Sequence, residues 1–236
     1  MRLLITILLI KFCVYEVYTQ NLIPNPSFED TIQLNFGLTF PRFWTQPTNG
    51  NPNHYSPHSR PEWQVPQNYV GYQLAYKGEN YVGILMHKML PQGSDSKREY
   101  FQVKLEDSLK KDSTYCLQLF LSLADSCQYA SRNQLGIYLS NSEVSVSTTF
   151  RLQYKPQILV VSSQEYFEEK DRWVEFNFEY IAEGKEKYLI IGNFNDTSGV
   201  EKKFIGGGEQ LDYSGTYYYI DDLYLGHCDS LPDTTI

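Results

Sequence analysis

The chain has 236 residues and is acidic, with a formal net charge of −8 at pH 7 and a pI of about 5.0. A nucleic-acid partner would require a clustered basic face, which this charge balance argues against, whereas solubility or cation binding is favoured. The 20 tyrosines and 13 phenylalanines favour β-structure, because aromatic residues fit the pleated surface of a sheet.

The first 20 residues are predicted to be a secretory signal peptide. Arg2 precedes a short apolar run at residues 3–10, and polar residues follow from Tyr18 onward. A membrane span needs about 20 apolar residues, and Lys11 interrupts this run, so no membrane-spanning segment is predicted. A buried N-terminal helix is the alternative, but no helical stripe continues past Lys11. Residues 21–236 are predicted to form a single domain, since all-β domains of that size are common.

A long loop of turn-forming residues is predicted at residues 41–66. It contains Trp44, Tyr55 and Trp63, and it is longer than an ordinary connection between strands. Loops of this length are usually functional or form an ordered cover. The sequence therefore predicts either a binding loop or a structural plug in this region.

Most of the chain beyond that loop alternates apolar and polar residues with the period of a β-strand. Half-buried strands are predicted at residues 117–123 and 174–180, and further strands at 101–105, 135–139 and 188–194. Residues 71–76 and 81–86 are predicted to pair as a hairpin, with Gly78 in the turn. A glycine-rich excursion at residues 196–213 precedes the last strand. No sustained helical stripe is present, so the prediction is an antiparallel β-sandwich or barrel.

Three cysteines follow the predicted signal peptide: Cys116, Cys127 and Cys228. An oxidising compartment permits one disulfide and leaves one thiol over. Cys116 and Cys127 flank a single strand-like run, and about 3.3 Å per residue puts them beyond disulfide reach unless the chain doubles back. Cys228 is the favoured partner for either cysteine, and three unpaired, partly buried thiols are the alternative.

The two ends of the chain beyond the signal peptide are predicted to form halves of one site. Residues 21–30 read NLIPNPSFED, and residues 217–225 read YYYIDDLYL. Alternation places Asp221 on one side of the last strand together with Tyr219, Leu223 and Leu225. An unpaired carboxylate cannot stay ionised among apolar neighbours. A hard cation held between Glu29 and Asp221 would compensate the charge and tie the first strand to the last.

Five blocks of this sequence resemble a family of secreted Bacteroidota proteins with a galactose-binding-like jelly-roll domain, which often precedes an OmpA-type domain. The blocks are NLIPNPSFED, REYFQVKL at residues 98–105, YCLQLFLSLADSCQYA at 115–130, YLIIGNFND at 188–196 and YYYIDDLYL. The SFE and IDD pair is also similar to jelly-roll carbohydrate-binding modules. The resemblance implies a structural calcium ion between the ends, held by Glu29 and Asp221, with Asp222 as a weaker candidate. Ordinary solvated carboxylates are the alternative for Glu29, Asp30 and Asp222.

A glycan site is the next hypothesis, because aromatic rings beside amide and carboxylate groups suit the apolar faces and hydroxyls of sugars. The candidate rings are Trp44, Tyr55, Trp63 and Tyr72. Core packing is the alternative for each ring. Asp125, Arg132 and Asn133 lie in a predicted polar loop between two strands and are candidates for hydrogen bonds to the ligand, or for capping that loop.

The sequence predicts a secreted or surface-exposed, non-catalytic module that binds an extracellular glycan or an envelope component. No catalytic residue is assigned, since the zinc helix motif, the nucleophile elbow and the phosphate loop are all missing. A carbohydrate-active hydrolase or lyase on the same fold is one alternative. A structural or adhesion protein of the cell envelope is the other. The sequence leaves the oligomeric state open.

Overall fold

The computed structural model of the protein describes residues 21–88, 97–132, 135–161, 166–196, 201–206 and 215–232. The predicted signal peptide lies outside the described residues, as does the candidate ligand residue Asn133. Within the described ranges, the regular elements are β-strands and two short 3-10 helices, Asn35–Gly37 and Cys228–Ser230. The all-β prediction is therefore confirmed.

The strands are numbered here in chain order. They are β1 (Thr31–Gln33), β2 (Thr39–Pro41), β3 (Trp44–Thr45), β4 (Asn53–Tyr55), β5 (Gln67–Asn68), β6 (Gly71–Tyr72), β7 (Tyr81–Lys88), β8 (Tyr100–Lys104), β9 (Thr114–Leu123), β10 (Tyr129–Arg132), β11 (Gly136–Ser140), β12 (Ile158–Leu159), β13 (Val174–Ile181), β14 (Tyr188–Gly192), β15 (Glu201–Phe204) and β16 (Gly215–His227).

Ten of these strands form two five-stranded antiparallel sheets. The first sheet has the order β12-β11-β14-β8-β3, and the second has the order β13-β9-β16-β7-β4. Apart from the consecutive pair β11 and β12, neighbouring strands in each sheet are not consecutive in the chain, and most connections cross from one sheet to the other. This strand order is that of a jelly roll, and the fold is an antiparallel β-sandwich of that class.

The two sheets enclose one apolar core between their inner faces. Its fully buried residues come from both sheets, among them Val82, Ile84, Phe101, Val103, Leu117, Leu119, Ile137, Leu189 and Leu225. Each such side chain contributes about 1.5–3 kcal/mol through removal of its apolar surface from water. The alternating pattern in the sequence thus placed the inward leucines of β9 correctly.

The two longest alternating strands were both predicted to be half-buried, and the structure confirms this for one of them. Strand β13 is half-buried as predicted, with Phe176 and Tyr180 buried and Glu175 and Asn177 exposed. Strand β9 was predicted to be half-buried, but it is buried on both faces after its first residue. The reason is a covering segment, residues 63–76, which lies over the outer face of the second sheet. Here "outer face" means the face that points away from the first sheet.

The predicted hairpin between residues 71–76 and 81–86 is wrong. Gly71–Tyr72 pairs with Gln67–Asn68 in a separate two-stranded ribbon, whereas β7 pairs with β16 and β4. Gly78 does occupy a turn in the left-handed region, with φ of 71°. The prediction of a turn at Gly78 is therefore confirmed, but the strands on either side of it do not pair with each other. The strand after the turn, β7, pairs instead with the distant last strand β16.

The predicted long loop at residues 41–66 is ordered and completes both sheets. Strand β3 forms one edge of the first sheet through pairing with β8. Strand β4 forms one edge of the second sheet through pairing with β7. The sequence pattern did not predict these strands, because each has at most three residues and is too short to show alternation.

A disulfide joins Cys116 on β9 to Cys228, which follows β16 directly, with a Cα–Cα distance of 4.8 Å. Cys127 is a free, buried cysteine. The favoured role of Cys228 as the disulfide partner is confirmed, and its choice of Cys116 follows from the pairing of β9 with β16. In that register Cys116 lies opposite Gly226, two residues before Cys228.

Candidate functional site

The two ends of the described chain meet, as the sequence predicted. The amide of Leu22 donates to the carbonyl of Leu225 at 2.7 Å. The Asn21 side chain donates to the carbonyl of Leu223 at 2.8 Å and accepts from the amide of Leu225 at 3.0 Å. The amide of Leu223 donates to the carbonyl of Pro26 at 3.0 Å. Backbone and asparagine hydrogen bonds therefore join the first residues to the last strand.

Glu29 and Asp221 both bind one loop, residues 76–80, which precedes β7. The Oε1 atom of Glu29 accepts the amides of Glu79 at 3.0 Å and Asn80 at 2.9 Å, and its Oε2 atom accepts the Asn80 side-chain amide at 2.7 Å. Glycine is required at position 78, because a Cβ there would lie 2.4 Å from the carboxyl carbon of Glu29. The loop is thus shaped around the carboxylate.

Asp221 holds the same loop from the sheet side. Its Oδ2 atom accepts the amides of Tyr76 at 2.9 Å and Lys77 at 3.0 Å, and its Oδ1 atom accepts the amide of Asp222 at 2.7 Å. Burial raises the pKa of Asp221 well above its usual value, and these amide hydrogen bonds oppose that rise. The prediction that Asp221 is buried is confirmed, and three N–H groups compensate its charge.

The predicted alternation beyond Asp221 is wrong, because a β-bulge interrupts it. The register between β16 and β9 shifts between Asp221 and Tyr224, and Asp222 has a φ of 41°. Asp221 pairs with Phe120 on the outer face, together with Tyr219 and Tyr224, whereas Leu225 pairs with Leu117 on the inner face. The bulge lets the outer face carry a buried carboxylate while the core side continues with leucine.

Asp222 and Asn80 complete the polar surroundings of this loop. Asp222 forms an ion pair with Lys77, with 3.0 Å between Nζ and Oδ1. The Oδ1 atom of Asn80 is buried and has no hydrogen-bond partner among the described residues. Within those ranges no group of three histidine, cysteine or acidic side chains converges as a metal site would require. A cation here would depend on Asn80 Oδ1 and carbonyl oxygens in addition to the two carboxylates.

Two of the predicted ligand-binding rings are buried in the structure, which is a correction to their assignment. Trp44 is 4% exposed, packs against Phe28 and Phe101, and donates through Nε1 to the Asn25 carbonyl at 3.1 Å. Tyr55 is fully buried, and its hydroxyl contacts that of Tyr217 at 3.0 Å. Both rings therefore serve packing, and neither faces solvent.

Tyr55 belongs to a layer of hydrogen-bonded tyrosines beneath the covering segment. Asn53 donates to the Tyr217 hydroxyl at 2.8 Å, and Trp63 donates to Asn53 at 2.7 Å. Gly83 leaves room for this layer, because a Cβ there would lie 2.4 Å from the Tyr217 hydroxyl. The predicted ring Trp63 is half-buried in the cover, with the Arg60 guanidinium 4.3 Å from its centroid.

Further hydrogen bonds bind the covering segment to this layer. Asn68 donates to the Tyr81 hydroxyl at 2.9 Å and accepts from the Tyr219 hydroxyl at 2.9 Å. Gln73 donates to the Ser122 hydroxyl at 2.6 Å. The part of the outer face that lies beneath the cover is therefore occupied by the chain itself.

The remaining predicted ligand residues do not form one cluster. Tyr72 is 53% exposed, and its amide donates to Oδ2 of Asp125 at 2.7 Å. Arg132 forms an ion pair with Glu201 at 3.5 Å on a separate ribbon made of β10 and β15. The structure thus brings Tyr72 and Asp125 together and places Arg132 on another element.

An open surface lies beside the covered part of the outer face. We call it the outer patch and define it by the side chains of Tyr76, Gln118, Trp173, Glu175 and Asn177. Gln118 donates to Glu175 at 2.8 Å and to Asn177 at 3.1 Å, and Asn177 donates to Glu175 at 2.6 Å. Glu175 and Asn177 are exposed and face solvent, whereas Gln118 is buried beneath them and holds them in place.

The rings of the outer patch are held rigidly beside that polar group. Tyr76 stacks on Phe120 with 3.7 Å between centroids and 16° between planes. Trp173 donates through Nε1 to the Leu74 carbonyl at 2.8 Å. Burial first, and then the carboxylates of Asp222, Glu175 and Asp221, raise the pKa of Tyr76, so its hydroxyl stays protonated at neutral pH.

Most of the outer patch was not among the residues singled out from the sequence. Trp173, Glu175 and Asn177 alternate with the inward residues of β13, so the period-two pattern did place them on one face. Nothing in the sequence indicated that this face stays open while the neighbouring face is covered. That difference depends on where the segment 63–76 lies.

No protein-family model matches this chain, and no curated protein matches it. Among solved structures, the chain is similar to the K3 cleaved adhesin domain of Lys-gingipain from Porphyromonas gingivalis W83, with 12% identity, a TM-score of 0.46 and coverage of 86% of this chain and 97% of that one. The K1 cleaved adhesin domain of the same protein is 14% identical, with a TM-score of 0.41 and coverage of 85% of this chain and 95% of that one. The CBM22-1 xylan-binding domain of Paenibacillus barcinonensis Xyn10C is 12% identical, with a TM-score of 0.42 and coverage of 85% of this chain and 90% of that one. The fold assignment rests on the strand order itself.

No helix in the described part of the chain is long and apolar enough to cross a membrane.

Proposed function

We propose that this chain is a secreted, non-catalytic binding module that holds a neutral glycan on the outer patch. The observation that carries the proposal is the combination of the stacked Tyr76 ring with the exposed side chains of Glu175 and Asn177, which the buried Gln118 amide holds in place. A flat ring offers a surface for the C–H face of a sugar, while amide and carboxylate groups bind its hydroxyls.

The charge of the patch favours a neutral ligand over an acidic one. Glu175 is exposed, and Asp222 lies close enough to affect Tyr76. A uronate or sulfate at this surface would meet like charge, which costs binding energy. We therefore expect neutral polysaccharides to be retained and acidic ones to be excluded.

The test is retention of the chain from residue 21 onward on a panel of neutral and acidic polysaccharides, with affinities from calorimetry. Tyr76→Ala and Asn177→Ala should each weaken binding about tenfold, corresponding to loss of about 1.4 kcal/mol. Phe36→Ala is the matched control, because Phe36 is an 85% exposed ring outside the patch. Binding by every variant alike would contradict the assignment of the patch.

The same panel separates the competing functions. Release of new reducing ends would identify a hydrolase or lyase instead of a binding module. A blank panel, together with cross-linking of the protein to an envelope protein on intact cells, would identify an adhesion component. Retention without product release supports the proposed glycan-binding function.

A structural calcium ion is part of the proposal. Glu29, Asp221 and Asn80 would hold it, because both carboxylates bind the loop 76–80, which carries Asn80, and Asn80 Oδ1 is a buried acceptor with no partner among the described residues. Hard oxygen ligands suit calcium. When bound, the ion would supply positive charge that stabilises the loop between the first residues and the last strand.

A further inference from the structure

A second concave surface lies on the first sheet, where β8 ends and β14 begins. It is a cavity of about 490 Å³, which is within the range of about 300–1,000 Å³ typical of small-ligand sites. We call it the β8–β14 cavity. Six of its lining side chains carry the argument: Lys104, Glu106, Asn141, Glu143, Lys187 and Tyr188.

The floor of this cavity is fixed by sheet pairing. Lys104 and Tyr188 lie directly opposite each other on β8 and β14, so their Cβ atoms are about 4.5–5.5 Å apart. Tyr188 is half-buried and packs against a second apolar cluster, which contains Tyr100, Ile190 and Leu152. The aromatic ring therefore provides a rigid, partly apolar surface beside an ammonium group.

Hydrogen bonds to neighbouring elements hold both walls. On one side, the Ser140 hydroxyl donates to the Ser142 carbonyl at 2.7 Å and shapes the turn that carries Asn141 and Glu143. On the other side, the amide of Glu106 donates to the carbonyl of Leu22 at 2.9 Å. The cavity is therefore bounded by backbone that is tied to the core of the sandwich.

The charged side chains around this cavity are not paired with each other. Lys104, Lys187, Glu106 and Glu143 form no ion pair or side-chain hydrogen bond with any described residue, whereas six ion pairs form elsewhere in the same ranges. Asp107, which also lines the cavity, accepts the amide of Ser108 at 2.7 Å. Two ammonium groups and three carboxylates thus line the cavity, and of these only Asp107 has a hydrogen-bond partner among the described residues.

We infer that the β8–β14 cavity binds a small zwitterionic ligand of the amino acid or short peptide class. A ligand with only an acid group would meet Glu106 and Glu143, and a ligand with only an amine would meet Lys104 and Lys187. A ligand with both charges can pair its carboxylate with a lysine and its ammonium with a glutamate. An apolar side chain on that ligand would lie against the Tyr188 ring.

The experiment titrates the chain from residue 21 onward with alanyl-leucine and with two capped forms, N-acetyl-alanyl-leucine and alanyl-leucine amide. Affinities come from calorimetry or from chemical-shift changes at the cavity. The uncapped dipeptide should bind at least tenfold more tightly than either capped form, because each cap removes one charge. The affinity of the uncapped dipeptide should be lower in 1 M salt than at low salt, because salt screens the charge pairs.

Side-chain variants test the site. Lys104→Gln and Glu143→Gln should each weaken dipeptide binding at least fivefold, and Lys110→Gln is the control, because Lys110 is an exposed lysine that does not line the cavity. Circular dichroism of each variant confirms the fold. Absence of saturable binding, equal binding of the capped forms, or unchanged binding by both variants would overturn the inference.

The inference is independent of the proposed glycan site. Tyr76→Ala should leave dipeptide binding unchanged, and Glu143→Gln should leave polysaccharide retention unchanged, since the two surfaces belong to different sheets. Failure of one proposal is therefore distinguishable from failure of the other.

Discussion

Two carboxylates, the buried Asp221 and the exposed Glu29, are held by backbone groups in this protein. Glu29 accepts two backbone amides and one side-chain amide from the loop 76–80, and Asp221 accepts three backbone amides. Removing the buried Asp221 carboxylate would leave its donors without partners, at a cost of about 1–3 kcal/mol for each buried group. The donors around the exposed Glu29 can bind water instead, so its removal costs less. These two residues therefore stabilise the loop whether or not a cation is bound.

His54 is expected to make the protein less stable at mildly acidic pH. It is 3% exposed, its Nε2–H donates to the Phe28 carbonyl at 3.2 Å, and its Nδ1 accepts from the Thr39 hydroxyl at 2.8 Å. Burial lowers the pKa of His54 to about 4. The unfolded chain, with an imidazole pKa of about 6.5, takes up the proton first. Stability is therefore full above pH 6.5 and is lost as pH falls toward 4, by about 2 kcal/mol at pH 5.

Urea unfolding at pH 7.5 and pH 5.0 checks this expectation. His54→Gln should be less stable than the wild type at pH 7.5 but should lose about 2 kcal/mol less on acidification. Burial also lowers the pKa of His87 to about 4. The pH dependence of stability that His87 causes is therefore present in both the wild type and His54→Gln. His58→Gln is the control, because His58 is exposed. An identical pH dependence in the wild type and His54→Gln would show that His54 is not the group responsible.

At the scale of elements, the covering segment 63–76 determines which part of the second sheet is available. It places Gln73 over Ser122 on β9, while Tyr76 at its end stacks on Phe120 and forms one side of the outer patch. Strand β13 lies at the edge of the sheet and keeps Glu175 and Asn177 exposed. One segment thus closes the tyrosine layer and completes the neighbouring open surface.

The disulfide is expected to stabilise the pairing of β9 with the end of β16. Cys116 and Cys228 are 112 residues apart in sequence, so the bond closes a long loop in the unfolded chain. The double variant Cys116→Ala and Cys228→Ala should lower the free energy of unfolding by about 2–5 kcal/mol, measured by urea denaturation.

Thiol titration provides the control for this prediction. The chain from residue 21 onward, unfolded without reductant, should show one reactive thiol, from Cys127, and three after reduction. Three thiols before reduction would contradict the disulfide. An unchanged free energy of unfolding in the double variant would contradict its stabilising role.

At the scale of the whole molecule, the sandwich is closed by contacts between distant ends of the chain. Leu22 pairs with Leu225, and the loop 76–80 lies between Glu29 and Asp221. Opening this junction would break the hydrogen bonds that join the first residues and the loop 76–80 to β16, the central strand of the second sheet. We therefore expect ligands of the junction to affect the stability of the entire domain.

Calcium is the ligand for which this expectation is tested. Thermal unfolding in calcium should occur at a higher temperature than in EDTA, by roughly 5–10 °C when calcium is about 100 times its Kd. Asp221→Asn and Glu29→Gln should abolish the difference, because each removes a charged oxygen ligand. Glu62→Gln, an exposed residue outside the junction, should retain it. Equal melting temperatures in calcium and EDTA for the wild type would mean that the amide donors alone compensate the two carboxylates.

The sequence by itself determined the fold class, the inward residues of strands β9 and β13, the burial of Asp221 and the meeting of the chain ends. These features follow from local alternation and from the cost of burying charge, which are properties of short segments. Only the tertiary structure decided that Trp44 and Tyr55 are buried, that a bulge at Asp222 reverses the predicted side of Leu225, and that Tyr76 stands at the border of a covered and an open surface. The physical reason is that exposure and strand register depend on which distant segments pack against each face, and period-two alternation contains no information about those partners.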